Sequence, residues 1–223
     1  MAPRLRLFYG GTFDPVHAGH LGIARAARDA CDADLWFVPA ADPPHKRARA
    51  DGAQRSAMLE LAIAARRRLH VDRREFARAG ASYTVDTLRE LRAEAGPDAP
   101  LAWLVGGDSL RQLDSWHQWR ALFGLAHLLV AERPDAAGGR VPLVDAAPAV
   151  AAEVAPRLCA PAELHAAAAG RVAILPLPVP FPQSSTAIRA AIAAGDPGWR
   201  AQLPEAVAAY IDRHRLYARV DGA

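Results

Sequence analysis

Lysine is almost missing from this sequence: Lys46 is the only one, and arginine supplies the other basic side chains. Beside so many alanines, that arginine excess is compositional bias. A lone surface arginine therefore marks nothing, whereas the solitary lysine stands out. Cysteine is scarce too. Cys31 and Cys159 lie far apart and form neither a metal-type spacing nor a disulfide framework. A reducing interior is the simplest setting for them. Long apolar runs are absent. The longest, residues 121–131, is broken by Gly124 and His127 and falls far short of the ~18 residues a membrane span requires. The apolar stretch within residues 1–9 is too short for a signal-peptide core. An excess of one charge is lacking as well. With 27 Lys+Arg against 24 Asp+Glu the net charge is +3, too mild to mark a nucleic-acid binder. These absences lead us to expect a soluble cytoplasmic protein with neither nucleic acid nor membrane as partner.

What is present is an ordinary globular composition. The 223 residues are 52% hydrophobic and 23% charged, which argues against wholesale disorder. A chain of this length buries about 70% of its unfolded surface and needs no disulfide or structural metal to fold. We expect a single domain over residues 1–223, with a C-terminal helical part from about 184 to 223. Short apolar runs predict strands at 5–9, 35–38, 101–105, 127–131 and 172–175. Helical spacing of apolar residues predicts helices over 17–31, 53–69, 84–95, 116–123, 186–194 and 204–214. Residues 133–170, rich in Ala, Pro and Gly, read as a variable connection with one helix near 160–169. Strands alternating with helices imply an α/β fold, a doubly wound parallel sheet covered on both faces. Ligands of such folds sit beyond the carboxyl ends of the strands, where the distinctive loops of this sequence fall.

The strongest segment is Gly10-Gly11-Thr12-Phe13-Asp14-Pro15-Val16-His17-Ala18-Gly19-His20-Leu21. Gly10 and Gly11 end a strand and expose bare backbone. His17 and His20 lie one turn apart at a helix start, so both imidazoles face one spot. Gly19 between them removes a side chain that would block it. The helix N-terminus adds positive potential suited to a phosphate. Two histidines so placed can stabilise charge growing on a transferring phosphoryl group. Zinc would need a third ligand, and none stands out nearby.

The pattern Gly-Gly-x-Phe-x-Pro-x-His-x-Gly-His resembles the signature of the nucleotidyltransferase superfamily, which shares His-x-Gly-His with class I aminoacyl-tRNA synthetases. The second half of that signature, Ser-Ser-Thr-x-x-Arg, is present as Ser184-Ser185-Thr186-Ala187-Ile188-Arg189. Physically it makes a second phosphate grip: the hydroxyls would cap a helix whose N–H groups point at the ligand, with Arg189 one turn in. Five stretches between these motifs point to one branch. They are Pro43-Pro44-His45-Lys46, Gln54-Arg55-x-x-Met58-Leu59, Ser82-Tyr83-Thr84-Val85-Asp86-Thr87-Leu88, Gly106-Gly107-Asp108-Ser109-Leu110 with Trp116, and Arg133-Pro134. With Tyr210-Ile211-x-x-His214-x-Leu216-Tyr217 near the end, they are similar, in order and over nearly the whole chain, to the bacterial nicotinate-mononucleotide (nicotinate-nucleotide) adenylyltransferase family.

That resemblance implies a Rossmann-like nucleotidyltransferase fold and the transfer of AMP from ATP to nicotinate mononucleotide, giving deamido-NAD and pyrophosphate in NAD biosynthesis. It implies that His17 and His20 contact the ATP phosphates and stabilise the transition state, with Lys46 and Arg189 in the catalytic set. Gly10, Gly11, Thr12 and Phe13 would line the ATP cleft, Asp108 would face the nucleotide ribose or its neighbours, and Ser184, Ser185, Thr186 and Arg189 would hold the phosphates from the other side. Thr12, His45 and Lys46 would meet the acceptor. Tyr83 and Thr84 would present backbone to the nicotinate carboxylate, and Trp116 would stack on the pyridine ring. The attacking phosphate is already anionic, so catalysis is positioning plus charge stabilisation without a general base. Mg2+ would come with ATP and keep several waters; the sequence assigns it no side chain and gives no oligomeric state.

Two positions depart from the family pattern. Gln183 stands where an aliphatic residue is usual, and His117 follows Trp116 where an aromatic residue is common. Three alternatives stand beside the main reading. One is the same transfer to nicotinamide mononucleotide or phosphopantetheine. Another is a non-catalytic nucleotide sensor that has kept the fold. The third is a serine esterase, suggested by Gly107-Asp108-Ser109-Leu110; its tetrapeptide is mid-chain, and Asp212-x-His214 has the wrong spacing.

Overall fold

The computed structural model describes residues 4–42, 48–132, 145–177, 181 and 183–218. Among them seven strands form one parallel sheet: β1 (Arg6–Gly11), β2 (Asp34–Pro39), β3 (Leu69–Val71), β4 (Leu101–Gly106), β5 (His127–Glu132), β6 (Leu158–Cys159) and β7 (Val172–Pro176). Their order is β3-β2-β1-β4-β5-β7-β6. The chain winds outward from β1 to β3, returns to lay β4 against the other side of β1, continues outward to β5, then crosses to the edge strand β6 and comes back to insert β7 between β5 and β6. The reversal between β1 and β4 is where a doubly wound sheet opens its ligand crevice.

Successive strand residues face opposite sides of the sheet, and both sides are apolar here. Leu7, Leu35, Phe37, Leu104, Leu129 and Ala173 belong to one buried cluster; Phe8, Val38, Trp103, Val105, Val130 and Val172 belong to the other. The helices, in chain order, are α1 (Ala18–Ala30), α2 (Gly52–Ile63), α3 (Thr84–Ala95), α4 (Gly107–Arg111), α5 (Leu122–Leu125), α6 (Pro148–Val154), α7 (Ser185–Ala194) and α8 (Glu205–Arg213). The first cluster takes Leu21 of α1, Met58 and Leu59 of α2, Ile188 of α7 and Val207 and Ile211 of α8. The C-terminal helices thus share a core with β1 and β2. The second takes Leu88 of α3, Leu110 of α4, Phe123 of α5 and Val150 of α6.

Local chemistry fixes the helix ends. Asp51 and Gln54 cap α2 reciprocally, each side chain accepting from the other's backbone N–H (2.8 and 3.0 Å). At the far end of the sheet from the strand tips, buried His127 accepts from the Arg171 N–H at Nδ1 (3.0 Å). Its proton therefore sits on Nε2, which donates to the Ala167 carbonyl (2.9 Å).

The structure corrects three expected elements. The helix over 53–69 ends at Ile63; Arg68 then turns the chain with φ of 62°, held by ion pairs to Asp32 and Asp34, into the short strand β3. The helix over 116–123 is broken. Trp116 is extended and Gln118 is left-handed (φ 50°), and helical backbone resumes as a 3-10 turn at Trp119–Ala121 before α5. The helix near 160–169 is a 3-10 segment, Pro161–Ala166, preceded by the unanticipated α6 and β6. Among the described residues no helix is long and apolar enough to cross a membrane.

Candidate active site

β1 delivers its last residues, Gly10 and Gly11, to the crevice. A side chain on Gly10 would run into the Trp103 ring of β4, so close packing of the two central strands requires glycine there. The turn that follows places His17 as N-cap of α1 and His20 one turn later. Each backbone N–H donates to the other residue's Nδ1 at 3.3 Å, and the rings stack at 3.7 Å between centroids. A backbone N–H can only donate, so both Nδ1 atoms accept and each neutral ring carries its proton on Nε2. Two histidines thus cap one helix while keeping one defined tautomer apiece. The Cβ that Gly19 lacks would sit 3.0 Å from His17 Nδ1.

Three adjoining cavities lie along the strand tips. One, about 280 Å³, has His17, His20, Gly19, Asp108, Ser184 and Ser185 in its wall. A second, about 350 Å³, has Gly10, Gly11, Thr12, Thr84 and Trp116. The third, about 480 Å³, has Tyr83, Thr84, Asp108, Trp116 and His117. Asp108 borders the first and third cavities, and Thr84 and Trp116 the second and third, so the three make one cleft. Within it, Arg111 of α4 grips Asp108 (2.6 Å) and the buried Glu132 of β5 (3.1 Å). His117 packs on Tyr83 at 4.6 Å. Its Nε2 accepts from the Gln118 amide (3.0 Å), whose orientation Arg89 sets through Oε1.

Other expected residues lie differently. Phe13 is 2% exposed; its ring backs His20 and Phe37 in the core, with φ of 50°. Ser184 is the N-cap of α7 but its hydroxyl makes no capping bond, and the Ser185 hydroxyl donates to the Pro15 carbonyl (3.0 Å). The serines therefore do not cap the helix as expected: one tethers the histidine-bearing turn, and the first turn of α7 is left without a capping side chain. Thr186 and Arg189 border a separate cavity with Arg49 and Tyr217. Arg189 donates to the Asp14 carbonyl at 2.6 Å. His45 and Lys46 lie outside the described residues, as do Arg133 and Pro134.

Neither cysteine is poised for chemistry. Both are free, and burial pushes the Cys31 thiol up to about 12. No group of three or more His, Cys, Asp or Glu among the described residues could hold a metal ion.

Residues 8–191 match the cytidylyltransferase-like family model. The sequence is 52% identical to a Stenotrophomonas maltophilia protein and 49% identical to one from Laribacter hongkongensis, each match covering 96% of both chains. Both relatives are described as "Probable nicotinate-nucleotide adenylyltransferase". The chain belongs to the nicotinate-nucleotide adenylyltransferases of the cytidylyltransferase-like family. The fold likeness extends to a solved structure of low sequence identity. The Plasmodium falciparum nicotinic acid mononucleotide adenylyltransferase complexed with NaAD superposes with a TM-score of 0.73 at 15% identity, over 96% of this chain and 97% of that one.

In this family member two buried charged residues escaped sequence reasoning. Asp14 accepts from the N–H groups of Arg49 (2.7 Å) and Ala50 (3.1 Å) and from the Tyr217 hydroxyl (2.7 Å). Burial first, and then Asp14, raises the Tyr217 pKa, so the phenol stays a donor. Arg55, 1% exposed, donates to the carbonyls of Thr12 (2.9 Å), Ala50 (3.2 Å) and Ala41 (3.4 Å). Burial lowers its pKa, and Asp14 is the largest charge opposing that shift. Asp14, Arg55 and Tyr217 all stood within the quoted motifs; what was missing was any local signal of burial.

Proposed function

We propose that this chain is a nicotinate-nucleotide adenylyltransferase, moving AMP from ATP to the 5′-phosphate of nicotinate mononucleotide and releasing pyrophosphate. The observation that carries the reading is the stacked His17–His20 pair, in one cavity wall with Ser184 and Ser185 at the start of α7. A phosphate oxygen of the acceptor attacks the α-phosphorus of ATP, and the bond from that phosphorus to the bridging β-oxygen breaks. Charge grows on the α-phosphoryl oxygens and the departing pyrophosphate. His17 and His20 donate from Nε2 to those oxygens, and the first-turn N–H groups of α7 face the triphosphate. Gly10, Gly11 and Thr12 bring backbone to the joint between the two substrates. Lys46 adds charge to the phosphates; Thr186 and Arg189, which line the neighbouring cavity, would reach them only from the far side of the Asp14 turn, whose carbonyl Arg189 steadies.

The acceptor occupies the larger cavity. Tyr83 and Thr84 start α3 there and turn backbone toward the nicotinate carboxylate, Trp116 stacks on the pyridine ring, and His45 and Lys46 are further acceptor contacts. Proteins of this family use a divalent cation, here Mg2+. The exposed Asp108 carboxylate at the cleft edge, paired to Arg111, would offer it an oxygen, and a cation brought by the triphosphate would keep several waters. When bound it offsets phosphate charge. The whole chain works as one nucleotidyltransferase domain, with residues from about 184 onward as its C-terminal helical part. A reducing cytoplasm suits its two free thiols.

The test is pyrophosphate release from Mg-ATP with nicotinate mononucleotide, nicotinamide mononucleotide or phosphopantetheine offered in parallel. Turnover with the first alone is expected. A preference for another acceptor overturns the acceptor half of the reading, and ATP binding without turnover overturns the enzymatic one. His20→Ala is expected to lower kcat about 10²–10³-fold with the fold retained; a near-normal kcat removes the central role of the pair.

A further inference from the structure

We propose that the side chain of Gln183 reads the adenine ring of ATP through its 6-amino group. This rests on the reading above, in which the cavity beside His17 and His20 takes ATP. Among the described residues few buried side-chain atoms lack a hydrogen-bond partner, and Gln183 Oε1 is one of them. Gln183 also lines that cavity. A buried acceptor without a donor is costly, and a ligand that brings the donor recovers that loss.

The local register explains how the amide is held there. Phe181 lies over Gly22, where a Cβ would strike its ring. Gln183 lies over Gly19, where a Cβ would come within 3.2 Å of Oε1, and Ser185 bonds the Pro15 carbonyl. Residues 181, 183 and 185 thus follow α1 from its second turn back to its start. Two glycines one turn apart make a flat strip for them. The same wall holds the two histidines and the apolar side chains of Ile23, Leu177 and Phe181.

The chemistry of the ligand then narrows the partner. Every oxygen of a triphosphate accepts, so none can satisfy Oε1. The donors of ATP are the 6-amino group and the ribose hydroxyls. A carboxamide shows an acceptor and a donor side by side, which match the amino group and adjacent ring nitrogen of adenine. The apolar neighbours suit the faces of a purine. Glu75 Oε2, the other unpartnered atom in the cleft wall, belongs to a carboxylate already fixed by the Thr87 hydroxyl (2.6 Å) and Arg78 (3.7 Å).

The test compares ATP with purine riboside 5′-triphosphate, which lacks only the 6-amino group, in the wild-type chain and in Gln183→Leu. The wild type is expected to favour ATP in kcat/KM, and the variant to lose about tenfold of that preference with the KM for nicotinate mononucleotide unchanged. A preference equal in both proteins overturns the proposal, including the case where both nucleotides weaken together because Gln183 holds the ribose. Gln183→Ala serves if the leucine variant does not fold. Calorimetric binding of the two nucleotides without acceptor gives the same comparison. It therefore separates failure of this inference from failure of the acceptor assignment: lost discrimination in the variant supports the inference, and equal discrimination overturns it.

Discussion

A buried guanidinium holds the mouth of the cleft together without lining it. Arg55 satisfies carbonyls from the loops after β1 and β2 and from the start of α2. Replacing it by methionine keeps the bulk and strips those carbonyls of their donor. Arg55→Met is expected to cost roughly 3 kcal/mol, since each buried carbonyl left unpaired costs about 1–3 kcal/mol and part of that is relieved by relaxation. Urea unfolding reads this as a lower midpoint at unchanged slope; an unmoved midpoint sinks the idea. The sequence could not announce this role. His17 and His20 interact three residues apart, so their pattern carries their geometry, whereas Arg55 meets Thr12 across 43 residues and Asp14 meets Tyr217 across 203. The apolar Phe13 shows the opposite error. Its place in the motif suggested a ligand contact, and its ring packs in the core against His20 instead.

At the scale of elements, length decided what was legible. α1, α3 and the five longer strands declared themselves through apolar runs and helical spacing. β3 has three residues and β6 two, too few for any periodicity, and both are held by backbone pairing to a neighbour already in place. The chain between α4 and β5 breaks into short turns because Gln118 takes a left-handed backbone that ends any helix. The junction of β4 with α4 is tighter than its glycines alone suggest. A Cβ on Gly107 would fall on the Glu132 carboxylate, which Arg111 holds in place. Gly107→Ala is therefore expected to lower Tm by about 3–8 °C, as overpacking of a closed site does. A Tm within a degree of wild type shows that Glu132 moves aside freely.

Across the whole molecule, chemistry and a titratable core group occupy opposite ends of the sheet. His127 begins β5, at the end away from the strand tips. Burial lowers its pKa from the ordinary 6.5, against the pull of its bond to Ala167. The unfolded chain therefore takes up a proton below that pH that the folded chain refuses. The stability this group contributes is complete above about pH 6.5 and is lost as pH falls toward the depressed value. His127→Gln removes the titration. The Tm advantage of wild type over this variant is expected to be larger at pH 7.5 than at pH 5.5, and an advantage constant with pH refutes the assignment.

The bond between Asp14 and Tyr217 sets an order in time. A ribosome reaches Tyr217 only 203 residues after Asp14. Until then the turn that carries the two histidines lacks its last donor. All seven strands precede Tyr217 in the chain, so the support of that turn is added only after the whole sheet has been made.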